Sequence, residues 1–89
     1  MTMRDLDIRF QEAFELASKM EKKLPPDTML KLYAYYKQAV KGDQFAINAY
    51  PQAKGLRSAF KLNAWLQLRG MTADVAKTEY IKLVHSLID

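Results

Sequence analysis

Helix-breaking residues are scarce in this chain, and they fall where its apolar rhythm pauses. Its three prolines and three glycines, Pro25, Pro26, Gly42, Pro51, Gly55 and Gly70, separate stretches whose apolar residues recur every three or four positions. That period belongs to one face of an α-helix, and no stretch alternates with period two over the length of a strand. The fold class is therefore all-α.

Four helices are predicted. In the first, Leu6, Phe10, Ala13, Phe14, Ala17 and Met20 make one apolar face, Thr2 followed by Asp5 resembles a capping box, and Pro25-Pro26 ends the helix. Asp27 is placed to cap a second helix bearing Met29, Leu30, Tyr33, Tyr36, Lys37 and Val40 on one side, with Gly42 as its C-terminal cap. A third runs from about Arg57 to Gly70 through Phe60, Lys61, Ala64, Trp65 and Leu68, and Thr72 caps a fourth containing Ala76, Tyr80, Leu83, Val84 and Leu87. The connection from Asp43 to Leu56 is long for so small a domain, which rules against a tight hairpin between the second and third helices.

At 89 residues, 49% of them apolar, the chain has material for one compact core, so 1–89 is expected to be a single domain. It has no cysteine, and His85 is its one histidine, which removes disulfides and thiolate or multi-histidine metal sites. The N-terminus Met1-Thr-Met-Arg-Asp-Leu-Asp is charged where a signal peptide is apolar, and no run of about 18 apolar residues occurs. A soluble, intracellular protein without stable membrane insertion is expected. The net charge of +4 favours an anionic partner without naming it.

Little in the sequence speaks for catalysis. Ser58, Ser86 and His85 sit in no nucleophile motif, the carboxylate pairs Asp5/Asp7 and Glu12/Glu15 suit a solvated face, and no glycine-rich phosphate loop is present.

The second helix offers more. Tyr33, Tyr36 and Lys37 stand at i, i+3 and i+4 and so share one strip, flanked by Met29 and Val40. A purely aromatic stripe is usually core, but lysine resists full burial and a buried tyrosine hydroxyl needs a partner, so the mixture suits the rim of a groove. Tyrosine can stack on a purine and lysine can meet a phosphate, which points to a compact nucleotide. Nucleic acid is disfavoured, because arginine is sparse in the strip and Asp27, Asp43 and Asp74 interrupt the basic residues. Whether Arg57, Lys61, Lys77 and Tyr80 join the strip is not fixed by periodicity, and a helical protein-interaction or nucleic-acid-binding domain stays open on these grounds.

The order Tyr33-x-x-Tyr36-Lys37-Gln38-Ala39-x-x-Gly42-Asp43, preceded by Met29-Leu30 and followed by Pro51, Lys61-x-x-Ala64-Trp65, Gly70, Thr72, Ala76 and Tyr80-Ile81, resembles the acyl-CoA-binding protein family over nearly the whole chain. The resemblance implies a four-helix bundle, up-down-down-up, with a long crossover between helices two and three. It implies a cytoplasmic, monomeric carrier that binds long-chain acyl-CoA as ligand, uses no cofactor and exchanges cargo with acyl-CoA-producing and acyl-CoA-consuming enzymes. By similarity, Tyr36 stacks on the adenine, Lys37 and Lys61 hold the ribose 3′-phosphate, and Tyr33 and Tyr80 add hydroxyl contacts. Phe14, Met29 and Leu30 are the candidates for lining the acyl groove. Four departures accompany the resemblance: Leu62 stands where the family usually has tryptophan, Phe14 where it usually has a small residue, Leu56-Arg57-Ser58-Ala59-Phe60 where it has a lysine-rich run, and the crossover is slightly longer than usual.

Overall fold

The computed structural model describes residues 4–42 and 56–88. It contains helices α1 (Asp5–Lys19), α2 (Pro26–Lys41), α3 (Leu56–Leu66) and α4 (Ala73–Ile88), with no strand among the described residues. α4 packs against both α1 and α2, and α3 packs against α2. The spatial order is therefore α1, α4, α2, α3. Thr2, Asp43, Pro51 and Gly55 lie outside the described residues.

α4 sits at the centre because its apolar stripe is the most complete. Ala76, Tyr80, Ile81 and Val84 are all buried, and they join Phe10 and Ala13 of α1 and Ala39 of α2 in one cluster. A side chain the size of Val84, fully removed from water, contributes roughly 1.5 to 3 kcal/mol. The small residues Ala13, Ala39 and Ala76 let the three helix backbones approach one another.

Four helix ends differ from expectation. α1 stops at Lys19, not at Pro25: Met20, half-buried, is its extended C-cap, and Glu21, Lys22 and Lys23, which follow, are charged and exposed and continue no apolar face. Its N-cap is Arg4, which makes no side-chain capping bond, so no capping box built on Thr2 and Asp5 starts this helix. α2 begins at Pro26 with Pro25 as N-cap, and Met29 N–H donates to the Pro25 carbonyl at 3.1 Å. Proline at the first helical position has no N–H to leave unpaired, so Asp27 falls inside the first turn, where its charge suits the helix dipole instead of capping it. α3 ends at Leu66, and i→i+3 turns such as Leu68 N–H to Trp65 C=O (2.9 Å) carry the chain to Gly70. The Thr72 hydroxyl caps α4 as predicted, accepting from Val75 N–H at 3.2 Å.

An ion network ties α1 to α4. Arg4 forks onto Asp74, with bonds of 2.8 and 3.1 Å, and also reaches Asp7 at 3.1 Å, while Lys77 Nζ lies 2.6 Å from Asp7. Hydrogen bonds from Arg4, then from Lys77, hold the Asp7 carboxyl down at about 2. Asp7 is thus a structural partner, not part of a purely solvated acidic face.

Candidate functional site

The tyrosine and lysine strip of α2 splits between two neighbours. Three residues of helix turn the direction of a side chain by about 60°, and that rotation sends Tyr33 toward α3 and Tyr36 toward α1 and α4.

On the α3 side, Tyr33 lies beneath two ammonium groups. Lys37 Nζ is 5.7 Å from its ring centroid, and Lys61 Nζ, arriving from α3, is 5.3 Å away. Lys37 also lies 5.9 Å from the Trp65 ring. Ring faces are electron-rich and attract cations, so Tyr33 holds both lysines in place. Neither ammonium has a carboxylate within ion-pair distance among the described residues. Two like charges gathered on one ring make a local site for an anion.

Beside this pair opens a cleft of about 480 Å³, lined by Pro26, Met29, Leu30, Tyr33, Phe60 and Lys61. The predicted groove residues Met29 and Leu30 are thus in contact with the same space as Tyr33 and Lys61. Met29 is 56% exposed, an apolar side chain facing outward from the mouth of an apolar cleft. Phe60, absent from the predicted site, supplies one wall. The available signal was its place immediately before Lys61. A second cleft of about 390 Å³ lies between α2 and α3, lined among others by Lys31, Ala34, Tyr35, Asn63, Ala64 and Gln67, and it shares Leu30 and Phe60 with the first.

On the other side, Tyr36 belongs to an aromatic group with Phe10, Phe14 and Tyr80. Phe14 stacks on Tyr36 at 5.1 Å with an interplanar angle of 27°, and Tyr80 lies 6.1 Å from Tyr36. Phe14 therefore accompanies Tyr36 and lines neither cleft. Tyr80 is buried edge-on against Phe10 at 5.1 Å, and its phenol is pushed up to about 12, mainly by burial and further by the Tyr36 hydroxyl. Lys77, a further candidate, is committed to Asp7. Leu62 lines neither cleft, and the Arg57 side chain lies outside the described residues.

Beneath the lysines a polar latch sets the spacing of α2 and α3. Gln38 is 0% exposed and Trp65 2%. The Trp65 indole N–H donates to Gln38 Oε1 at 3.0 Å and to the Gly42 carbonyl at 3.2 Å, and Gln38 Nε2 donates to the Met71 carbonyl at 2.8 Å. Gly42 ends α2 with φ +62°, a left-handed conformation that favours glycine, and its N–H closes the helix on Gln38 C=O at 3.0 Å. The latch was missed from the sequence. Its signal is that Gln38 stands four residues after the buried Ala34, on the inward face of α2.

A small all-helical domain with two ammonium groups, unpaired among the described residues, at the mouth of an apolar cleft suits the binding of an anion that carries an apolar group. The family model described as "Acyl CoA binding protein" matches residues 7–84. The chain is 35% identical over 79 residues to "Acyl-CoA-binding protein" of Saccharomyces cerevisiae, covering 89% of this chain and 88% of that protein. It is 38% identical over 82 residues to "Acyl-CoA-binding protein homolog" of Manduca sexta (88% and 90% covered) and 35% over 78 to "Acyl-CoA-binding protein" of Dictyostelium discoideum (88% and 90%). The chain belongs to the acyl-CoA-binding protein family. That family is one of binding proteins, not of enzymes, and among the described residues no helix is long and apolar enough to cross a membrane.

Proposed function

We propose that this chain, as a single domain over residues 1–89, binds long-chain fatty acyl-CoA thioesters without altering them and serves as a monomeric cytoplasmic carrier and pool former. One observation supports the reading above all: two ammonium groups, Lys37 and Lys61, meet over Tyr33 at the mouth of the cleft that Met29 and Leu30 line. In this reading the lysines take the ribose 3′-phosphate. The adenine lies against Tyr36, with Phe14 extending the aromatic surface instead of lining the acyl groove. Tyr33 adds its hydroxyl to the phosphate end. Tyr80, its ring enclosed by Phe10 and Tyr36, takes part through its hydroxyl alone.

The acyl chain occupies the apolar cleft. Each charge-assisted hydrogen bond to phosphate contributes roughly 1.5 to 3 kcal/mol, and each methylene withdrawn from water about 0.8 kcal/mol. A long chain therefore outweighs the nucleotide end, and the carrier lowers the free concentration of a detergent-like thioester between the enzymes that make it and those that consume it.

The test is calorimetric titration with CoA and with acyl-CoAs of increasing length at two salt concentrations. Affinity that climbs with chain length is expected. Equal affinity for CoA and every acyl-CoA overturns the reading, and a steep salt dependence without any length dependence assigns the basic face to nucleic acid instead.

A further inference from the structure

Leu30 and Phe60 are the two residues that line both clefts between α2 and α3, so they stand between them as a partition. On the near side are Met29, Tyr33 and Lys61; on the far side are Ala34, Tyr35, Asn63, Ala64 and others. The two volumes, about 480 and 390 Å³, are of similar size. Leu30 is half-buried on α2, whereas Phe60 is 53% exposed and is the part of the partition least held by neighbours.

We propose that Phe60 is the residue that sets acyl-chain length preference: its ring closes the far end of the near cleft and keeps the far cleft as unused space. This rests on the carrier reading given above. The chemistry follows from what each side offers. A chain entering past Met29 meets apolar surface up to Leu30 and Phe60. The next methylenes must leave along the surface, because the ring bars the far cleft, whose lining includes Ala34, Ala64 and Leu68. Affinity gained per methylene, roughly fourfold while each is withdrawn from water, therefore stops rising once the near cleft is full.

The experiment compares the wild type with Phe60→Ala in calorimetric titrations with saturated acyl-CoAs from short to very long chains. Circular dichroism and a urea midpoint confirm that the variant folds, as an exposed position allows. Wild-type affinity is expected to climb and then level off, and in Phe60→Ala the levelling moves to longer chains, by roughly fourfold in Kd for each further methylene accommodated. Adding Ala64→Leu to Phe60→Ala fills the far cleft and is expected to return the break to its wild-type position. An unchanged break in Phe60→Ala overturns the proposal, as does a shift that Ala64→Leu leaves in place. Absence of any length dependence in the wild type defeats the carrier reading itself, which keeps the two failures distinct.

Discussion

The Trp65 indole donates its N–H to Gln38 Oε1 at 3.0 Å, and neither side chain is accessible to water. The pair joins α3 to α2, and through the Met71 carbonyl it also fixes the turn that leads into α4. A buried polar contact of this kind is costly to break from one side only, since the group left behind has lost its water as well as its partner.

Gln38→Leu leaves the Met71 carbonyl without its donor, while Trp65 keeps its bond to Gly42. A loss of about 1 to 3 kcal/mol is expected. Trp65→Phe removes ring volume as well, and about 2 to 4 kcal/mol is expected. Urea unfolding of both variants and their combination checks this; the double variant should cost less than the sum, because the two changes share one bond.

Lys37→Ala and Lys61→Ala should each weaken acyl-CoA binding roughly tenfold to a hundredfold, the worth of one charge-assisted hydrogen bond. Folding stability should fall by no more than about 1 kcal/mol, the scale of a lysine's attraction to an aromatic ring at an accessible site. Repeating the titrations with ligand lacking the 3′-phosphate should erase most of the difference from wild type. A difference that persists in full means that the lysines meet another part of the ligand.

Asp7 gives an acid limit to stability. Its carboxyl is held at about 2, below the ordinary 3.8, by Arg4 and Lys77. A carboxyl lowered on folding contributes stability that is complete above its unfolded value and is lost as pH falls through the folded one. The stability gap between wild type and Asp7→Asn should therefore be constant near neutrality and close between about pH 4 and pH 2. Denaturation series at stepped pH measure it.

Tyr80 gives the alkaline counterpart. Its phenol titrates near 12 against an ordinary 10.0, so its contribution is present below pH 10 and fades as pH rises through 12. Ultraviolet difference titration should show a late-ionising tyrosine that is absent in Tyr80→Phe. Tyr80→Phe should also unfold at higher pH than the wild type.

The helices were legible because their apolar spacing is regular, and the family was legible because the residues around Tyr33 to Asp43 stand in a specific order. Helix ends were less so. Periodicity marks the residues that could be buried, and α1 stops at Lys19, ahead of the charged and exposed Glu21, Lys22 and Lys23 and well before its proline. The strip on α2 was legible as one face, but its division into a Tyr33 wall and a Tyr36 wall depends on where α3 and α1 sit. The burial of Gln38 against Trp65 was invisible for a related reason. A polar residue enters a core only when a particular partner is waiting, and Trp65 is 27 residues away in the chain.

Among the described residues α3 lies at one end of the helix order, packed against α2, while the main buried cluster is drawn from α1, α2 and α4. On the proposed binding site, changes at Phe60 or Lys61 of α3 should alter what the protein accepts at small expense to its folding. Descendants of such a chain could diverge in cargo while inheriting the same scaffold, and a library confined to that one edge would sample new preferences among molecules that still fold.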